Sequence, residues 1–404
     1  MFPKNFLWGA ATSSHQVEGG NTNNDWFLWE QEKKTQEPSG SAAGHYELFD
    51  SDFELAKELG HNAHRFSIEW SRVEPAEGVF DESAIEHYRE VIASLRKRSI
   101  EPIVTLHHFT NPIWFYEQGG WLKERSVFLF SRYVEKIVSA LGKDVCYWIT
   151  INEPMVYIYH GFLAGLWPPG SRSLSQAWRV TKNLVKAHRG AYQVIHNIYR
   201  KNQWSSPQIG LAQSLIVFKV CPQSNNFFCH LGVFLRHRLY NLYFLCKAAA
   251  FEDFIGVNYY RRDFISNHKH LPYGILGGKC NQVHGHAGHL NTLFWDSCPE
   301  GLFEVLCWLK RFKKPILITE NGTCEQDDEF RRRFIEEHLK QLDRALAAGL
   351  VITGYLYWSL VDNFEWQHGF KPRFGILEVD YKNMKRTPRP SAYRLRDIIR
   401  SGRV

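Results

Sequence analysis

Apolar residues recur along this chain in two alternating patterns. Short β-branched or aliphatic runs are followed by longer stretches in which apolar residues return every three or four positions. The first pattern predicts strands and the second helices, and their regular alternation is the mark of βαβ units around a parallel sheet. Ile85, Tyr88, Val91, Ile92 and Leu95 predict one helix, with Asp81 as its N-cap and a basic end at Arg96-Lys97-Arg98. Tyr133, Val134, Ile137, Val138 and Leu141 predict another, with Gly142 placed for a left-handed C-cap.

The strand candidates are Phe6–Ala11, His64–Glu69, Ile103–His107, Tyr147–Asn152, Ile209–Ser214, Phe254–Tyr259, Ile316–Glu320 and Gly354–Leu360. Each leads into a polar loop and then helix-like sequence. Eight such units predict an α/β fold, a single (β/α)8 TIM barrel forming one catalytic domain over residues 1–404. In such a barrel the chemistry gathers at the C-terminal ends of the strands.

Composition narrows the function classes. At 404 residues, 44% hydrophobic and 23% charged, the chain has the balance of a globular protein and none of the bias of disorder or fibres. Aromatic residues make up 15%, with 14 Trp, and flat rings suit both core packing and the apolar faces of sugars. The formal charge is +7, but Lys and Arg are spread along the chain rather than gathered in a stripe, so a nucleic-acid partner is not expected. No apolar run approaches the ~20 residues that span a bilayer, so no membrane partner is expected either.

The opening residues, Met1 to Trp8, lack a basic region followed by an apolar stretch. The eight Cys show no zinc-like spacing and read as reduced, mostly small core residues. Asn321-Gly322-Thr323 is a formal glycosylation sequon beside a candidate catalytic carboxylate, where a glycan would block the site. Together these features predict a cytoplasmic protein.

Two strand ends carry the chemistry. The fourth candidate ends in Thr150-Ile151-Asn152-Glu153-Pro154, and the seventh in Ile318-Thr319-Glu320-Asn321-Gly322. A carboxylate at the lip of an apolar strand is costly unless it is solvated, paired or used. Glycoside cleavage needs two carboxyl groups flanking one bond, and strands four and seven lie on opposite sides of a barrel. A gap of ~5 Å between the two would let one attack the anomeric carbon directly.

Over nearly its whole length the chain resembles family 1 of the glycoside hydrolases, the β-glucosidase and β-galactosidase group. The motifs that carry the resemblance run Phe6 to Gly19 (FLWGAATSSHQVEG), His64 to Arg72 (HRFSIEWSR), Thr105 to Phe109, Thr150 to Pro154, Gly256 to Tyr260, Thr319 to Gly322, and Trp358 to Trp366 (WSLVDNFEW). The resemblance implies a retaining β-glycosidase, β-glucosidase-like, with Glu153 as acid/base and Glu320 as nucleophile. It places Arg65 and Tyr260 against the nucleophile, Asn152 on the sugar 2-hydroxyl, and Asn258 beside that cluster. Gln16, His108, Glu365 and Trp366 match the positions that bind the remaining hydroxyls and Trp358 the ring beneath the sugar, and Phe374 is a further substrate-binding candidate. The substrates implied are small β-glycosides or oligosaccharides, a terminal β-glucoside before a β-galactoside or β-fucoside. Glu365 would repel a 6-phosphate and favours a free sugar. No cofactor and no metal are implied.

Three positions depart from the family pattern. Phe109 stands where Trp is usual, His15 replaces the usual aromatic before Gln16, and between Asn241–Leu245 and Phe254 the chain is several tens of residues shorter. The shortening predicts a thinly covered side with Phe244 and Leu245 exposed, met either by a wider mouth or by self-association or an apolar ligand. A second function class, a carbohydrate-binding or receptor-like protein on an impaired barrel, stays open beside the enzyme. So does a metal site among Cys280, His284, His286 and His289 in the His-rich stretch 268–289, although its irregular spacing reads as a solvated loop.

Overall fold

Each of the eight apolar runs forms a parallel strand in the computed structural model, which describes residues 1–267, 278–280 and 289–404. The strands are Leu7–Ala11, Ala63–Ser67, Glu101–Thr105, Tyr147–Asn152, Gln208–Ser214, Ile255–Asn258, Ile316–Asn321 and Ile352–Trp358. Each pairs with its neighbours in sequence, and the first pairs with the last, so the sheet closes into a barrel. Helices surround it, as expected where both faces of every strand must be buried.

The apolar residues separate into two sets for that reason. One cluster takes a residue from almost every strand or its edge, including Ala11, Ala63, Ile103, Ile149, Ala212, Leu317 and Leu356, and fills the barrel. The larger cluster joins the outward faces of the strands to the helices, with Tyr88, Tyr133, Trp148 and Ile318 fully buried in it. Glu82–Lys97 is one of these helices, and the Asp81 carboxylate caps it by accepting from the amides of Ser83 and Ala84.

Gly142 corrects one expectation. The helix Arg125–Leu141 does end there, but Gly142 has φ −64° and opens a short 3₁₀ turn instead of a left-handed cap. Glycine is required for space: a Cβ would sit 2.8 Å from the Trp204 ring, and the Tyr199 hydroxyl donates to the Gly142 carbonyl at 2.7 Å.

The side expected to be thin is covered. A continuous helical rod follows the fifth strand, α-helical over Phe227–Arg236, π-helical over His237–Leu242 and α-helical again over Tyr243–Ala248. Its last segment turns Phe244 and Leu245 inward, where both are fully buried, contrary to the expectation of exposure. The exposed apolar residues lie earlier on the rod, at Phe227, Phe228, Phe234 and Leu239. A small sheet of Val217–Val220, Arg262–Ser266 and Gly278–Lys279 also lies here, without a signature in the apolar pattern.

The His-rich stretch falls mostly outside the described residues, including His284 and His286. His289 bonds Glu325 at 2.9 Å, and Cys280 packs with Cys221 and Phe264. Among the described residues no cluster of three or more His, Cys, Asp or Glu is set to hold a metal. All eight thiols are free and five are buried.

Candidate active site

The fourth and seventh strands deliver their glutamates by breaking register just before them. Pairing to the fifth strand shifts between Ile149 and Asn152, and pairing of the seventh strand to the sixth shifts between Ile318 and Glu320. Such irregularities re-aim side chains at a barrel rim. Glu153 then takes a left-handed backbone, φ 43°, before Pro154 starts a short helix. A non-glycine residue there is strained, and the Glu153 amide is fixed by donating to the Ala212 carbonyl at 2.8 Å.

Glu320 is held from two sides. Arg65, fully buried, donates to its Oε1 at 2.5 Å, and the Tyr260 hydroxyl donates to its Oε2 at 2.5 Å. The same guanidinium donates to Thr105 Oγ1 at 2.9 Å and to Asn152 Oδ1 at 2.6 Å, so its position is fixed by three strands. Glu153 has a different setting. Its Oε1 accepts from Asn258 Nδ2 at 2.9 Å, and Asn258 is oriented in turn by the Thr319 hydroxyl at 2.6 Å.

These settings separate the two acids. Burial, and after it the nearby Glu320 charge, pushes Glu153 well above the usual carboxylate range. Burial raises Glu320 too, but Arg65 opposes it by charge, and hydrogen bonds from Tyr260, Arg65 and Asn258 also favour the anion. A single proton shared by the pair therefore sits on Glu153. One neutral acid facing one held anion can divide the two tasks of glycoside cleavage.

Both acids line one cleft enclosing about 850 Å³ of empty space, part of it open to solvent. Of the residues singled out from the sequence, Glu153, Glu320, Tyr260, Gln16, His108, Asn152, Trp358, Glu365, Trp366 and Phe374 line it; Arg65 and Asn258 lie behind them. Asn152 Nδ2 donates to His108 Nε2 at 3.2 Å, and burial, with the Arg65 charge, keeps that imidazole neutral. His108 stacks between Trp358 and Trp366, with centroids at 5.8 and 6.3 Å. Gln16 Nε2 donates to the Phe364 carbonyl at 2.9 Å and reaches Glu365 at 3.3 Å. Burial, then the charge of Glu320, pushes the Glu365 carboxyl up to about 8. Phe374 packs on Tyr260 at 6.1 Å.

The departures acquire local explanations. Phe109, at φ 75°, keeps an apolar wall against Trp366 and Trp167 at 5.3 and 4.9 Å. His15 lies parallel to Trp366 at 5.9 Å and bonds Glu30 and Asn24 through its two nitrogens, which fastens the first loop beneath the cleft. The Asn321 side chain is fully buried, donating to the Tyr259 carbonyl at 2.6 Å and accepting from Tyr355 at 2.9 Å, so the sequon has no room for a glycan. The sequence reading missed Trp167, Tyr240, Arg261 and Trp295, which also line the cleft. They arrive from loops and the rod, and only Arg261, next to Tyr260, had a neighbouring motif to point to it.

The model for glycosyl hydrolase family 1 matches residues 1–228 and 242–403. The chain belongs to glycosyl hydrolase family 1. It is 30% identical over 501 aligned positions to a β-galactosidase from Pyrococcus woesei, covering 100% of this chain and 98% of that one. Among solved structures it is similar to a β-glycosidase from Pyrococcus horikoshii, 39% identical, with a TM-score of 0.89 over 99% of this chain and 95% of that one. A β-glucosidase from Thermotoga maritima in complex with glucoimidazole is 26% identical, with a TM-score of 0.90 over 100% of this chain and 99% of that one. This family 1 chain is thus a β-glucosidase-like glycosyl hydrolase.

Proposed function

We propose that this family 1 protein is a retaining β-glycosidase that removes a terminal β-linked sugar by double displacement, with residues 1–404 as one catalytic domain. Glu320 attacks the anomeric carbon while Glu153 gives its proton to the leaving oxygen. Once Glu320 is esterified its charge is gone, Glu153 loses its main electrostatic reason to stay protonated, and it becomes the base that activates water. The observation that carries this reading is the unequal setting of the two acids in one cleft, Glu320 between Arg65 and Tyr260 and Glu153 on Asn258.

The polar rim fits a sugar. Gln16, Glu365 and the Nδ1 of His108, which has no partner among the described residues, present hydrogen-bonding groups, and Trp358 and Trp366 supply flat apolar faces. β-Glucosides are the first choice of substrate, before β-galactosides and β-fucosides. Free sugars are preferred over 6-phosphosugars, because the Glu365 carboxyl lines the cleft where a 6-phosphate would have to sit. With eight free thiols and a buried Asn321, a cytoplasmic setting completes the proposal.

The test is hydrolysis of 4-nitrophenyl β-glucoside, β-galactoside and β-fucoside by the protein and by Glu320→Gln. Turnover of the first that largely vanishes in the variant supports the proposal. A folded parent without turnover that still binds sugar would assign the barrel to a binding protein.

A further inference from the structure

The total charge conceals an asymmetry. From Pro154 to Phe251 there is no Asp or Glu, against eleven Lys and Arg, whereas the rest of the chain holds 38 Lys and Arg against 42 Asp and Glu. The even spread of cations along the sequence therefore misleads; what one stretch lacks is anions. That stretch builds the helix Leu174–Lys201 and the rod Phe227–Ala248, which pack on each other. Lys186 and Lys219 find partners in neighbouring elements, Glu124 and Glu304. Arg238 lies over the Phe234 ring and Lys247 over Tyr243, each 5.8 Å from the centroid.

The rod is apolar on its outside. Phe227 is 72% exposed, Phe234 57% and Leu239 55%, while the inner side buries Cys229, Gly232 and Asn241. A helix that only covers a barrel shows the opposite arrangement. Trp178, 51% exposed on the neighbouring helix, continues the strip: its ring lies 5.4 Å from Tyr243, one turn beyond Leu239. Residues 229–241 also fall outside the family match.

Exposed rings flanked by cations, with no anion among them, are the chemistry of a helix that lies in a layer of anionic headgroups. No described helix is long and apolar enough to cross a membrane, so the contact is with the surface of the bilayer. A nucleic acid would use the cations and leave the Phe and Leu side chains in water. A second copy set face to face would bring the two sets of cations together, with no Asp or Glu on either rod to pair them. We propose that the outer face of the rod Phe227–Ala248, with Trp178 beside it, docks this protein on an anionic lipid bilayer. The absence of a spanning segment, which argued against a membrane partner, does not bear on such a surface. Tyr240, on the inner side of the rod, lines the cleft of Glu153 and Glu320, so a docked molecule carries its mouth beside the headgroups.

Flotation of the full chain with vesicles tests this, using phosphatidylcholine alone or with about a third phosphatidylglycerol. The protein is expected to float with the anionic vesicles and not the neutral ones. Binding should weaken as ionic strength rises from about 0.01 M to about 0.15 M and the screening length falls from about 30 Å to about 8 Å. Arg238→Gln and Lys247→Gln should each lower partitioning about five-fold, and Phe227→Ser with Phe234→Ser at least about ten-fold. An unchanged thermal melt shows that the variants fold, whatever the parent's turnover. No flotation of the parent at low salt, or flotation that all these variants retain, overturns the proposal. So does a dimer in light scattering that the double Ser variant abolishes, or binding of duplex DNA, if either occurs without flotation.

Discussion

Arg65 and Glu320 form a buried ion pair at 2.5 Å, and the same guanidinium reaches Asn152, the residue before Glu153. One cation thus registers both halves of the site. Arg65→Met should lower kcat/KM by on the order of 10²–10³, the usual cost of losing a preorganised charge. Because a nearby cation favours the carboxylate, its removal raises Glu320 further, and the acid limb of the rate profile should move to higher pH. Steady-state kinetics across pH check both effects.

The proposed double displacement uses Glu320 ionised and Glu153 protonated, so the profile should be bell-shaped, with its basic limb above the ordinary carboxylate range because burial and Glu320 raise Glu153. In Glu153→Gln the basic limb should vanish. Hydrolysis of an alkyl glycoside should fall by about 10²–10⁴-fold, and that of a dinitrophenyl glycoside much less, since its leaving group needs no proton. Added azide should restore turnover in Glu153→Ala.

Gly322 lies two residues after Glu320, where a Cβ would stand 1.9 Å from the Trp358 carbonyl oxygen. That oxygen is backbone and cannot swing aside. Gly322→Ala should destabilise the fold by roughly 1–3 kcal/mol and lower kcat more than it raises KM, because it displaces the loop that carries Glu320, the proposed nucleophile. A thermal melt and a rate measurement on one preparation separate the two.

Glu252 is fully buried with neither carboxyl oxygen bonded among the described residues, and burial raises it to about 8. The folded state therefore holds its proton where the unfolded chain has released it. Stability should fall as pH rises from the unfolded value near 4.5 to about 8 and level off beyond, a loss on the order of a few kcal/mol. Glu252→Gln should remove its share of that slope, read as a smaller difference in Tm between pH 5 and pH 8 than in the parent.

Most strands were legible because a parallel strand buried on both faces is dominated by apolar residues, and Glu153 and Glu320 stood out as charges ending such runs. What the sequence concealed follows from geometry without a local signature. Register shifts before both glutamates, and left-handed backbones at Phe109, Glu153 and Trp366, are set by tertiary packing. Trp167 and Tyr240 reach the cleft across space from loop and rod. Gly142 serves Trp204 and not a cap. The rod inverted expectation most, since Phe244 and Leu245 read as orphaned only until the helix that turns them inward was seen.

Trapping the glycosyl-enzyme tests the central claim most directly. The protein is incubated with a 2-deoxy-2-fluoro-β-glucoside carrying a dinitrophenyl leaving group, then weighed intact and after proteolysis. A single added sugar on the peptide containing Glu320, absent in Glu320→Gln, is the predicted result. A turning-over enzyme that carries no adduct and releases the α-anomer first, or one labelled at a different residue, would contradict the account.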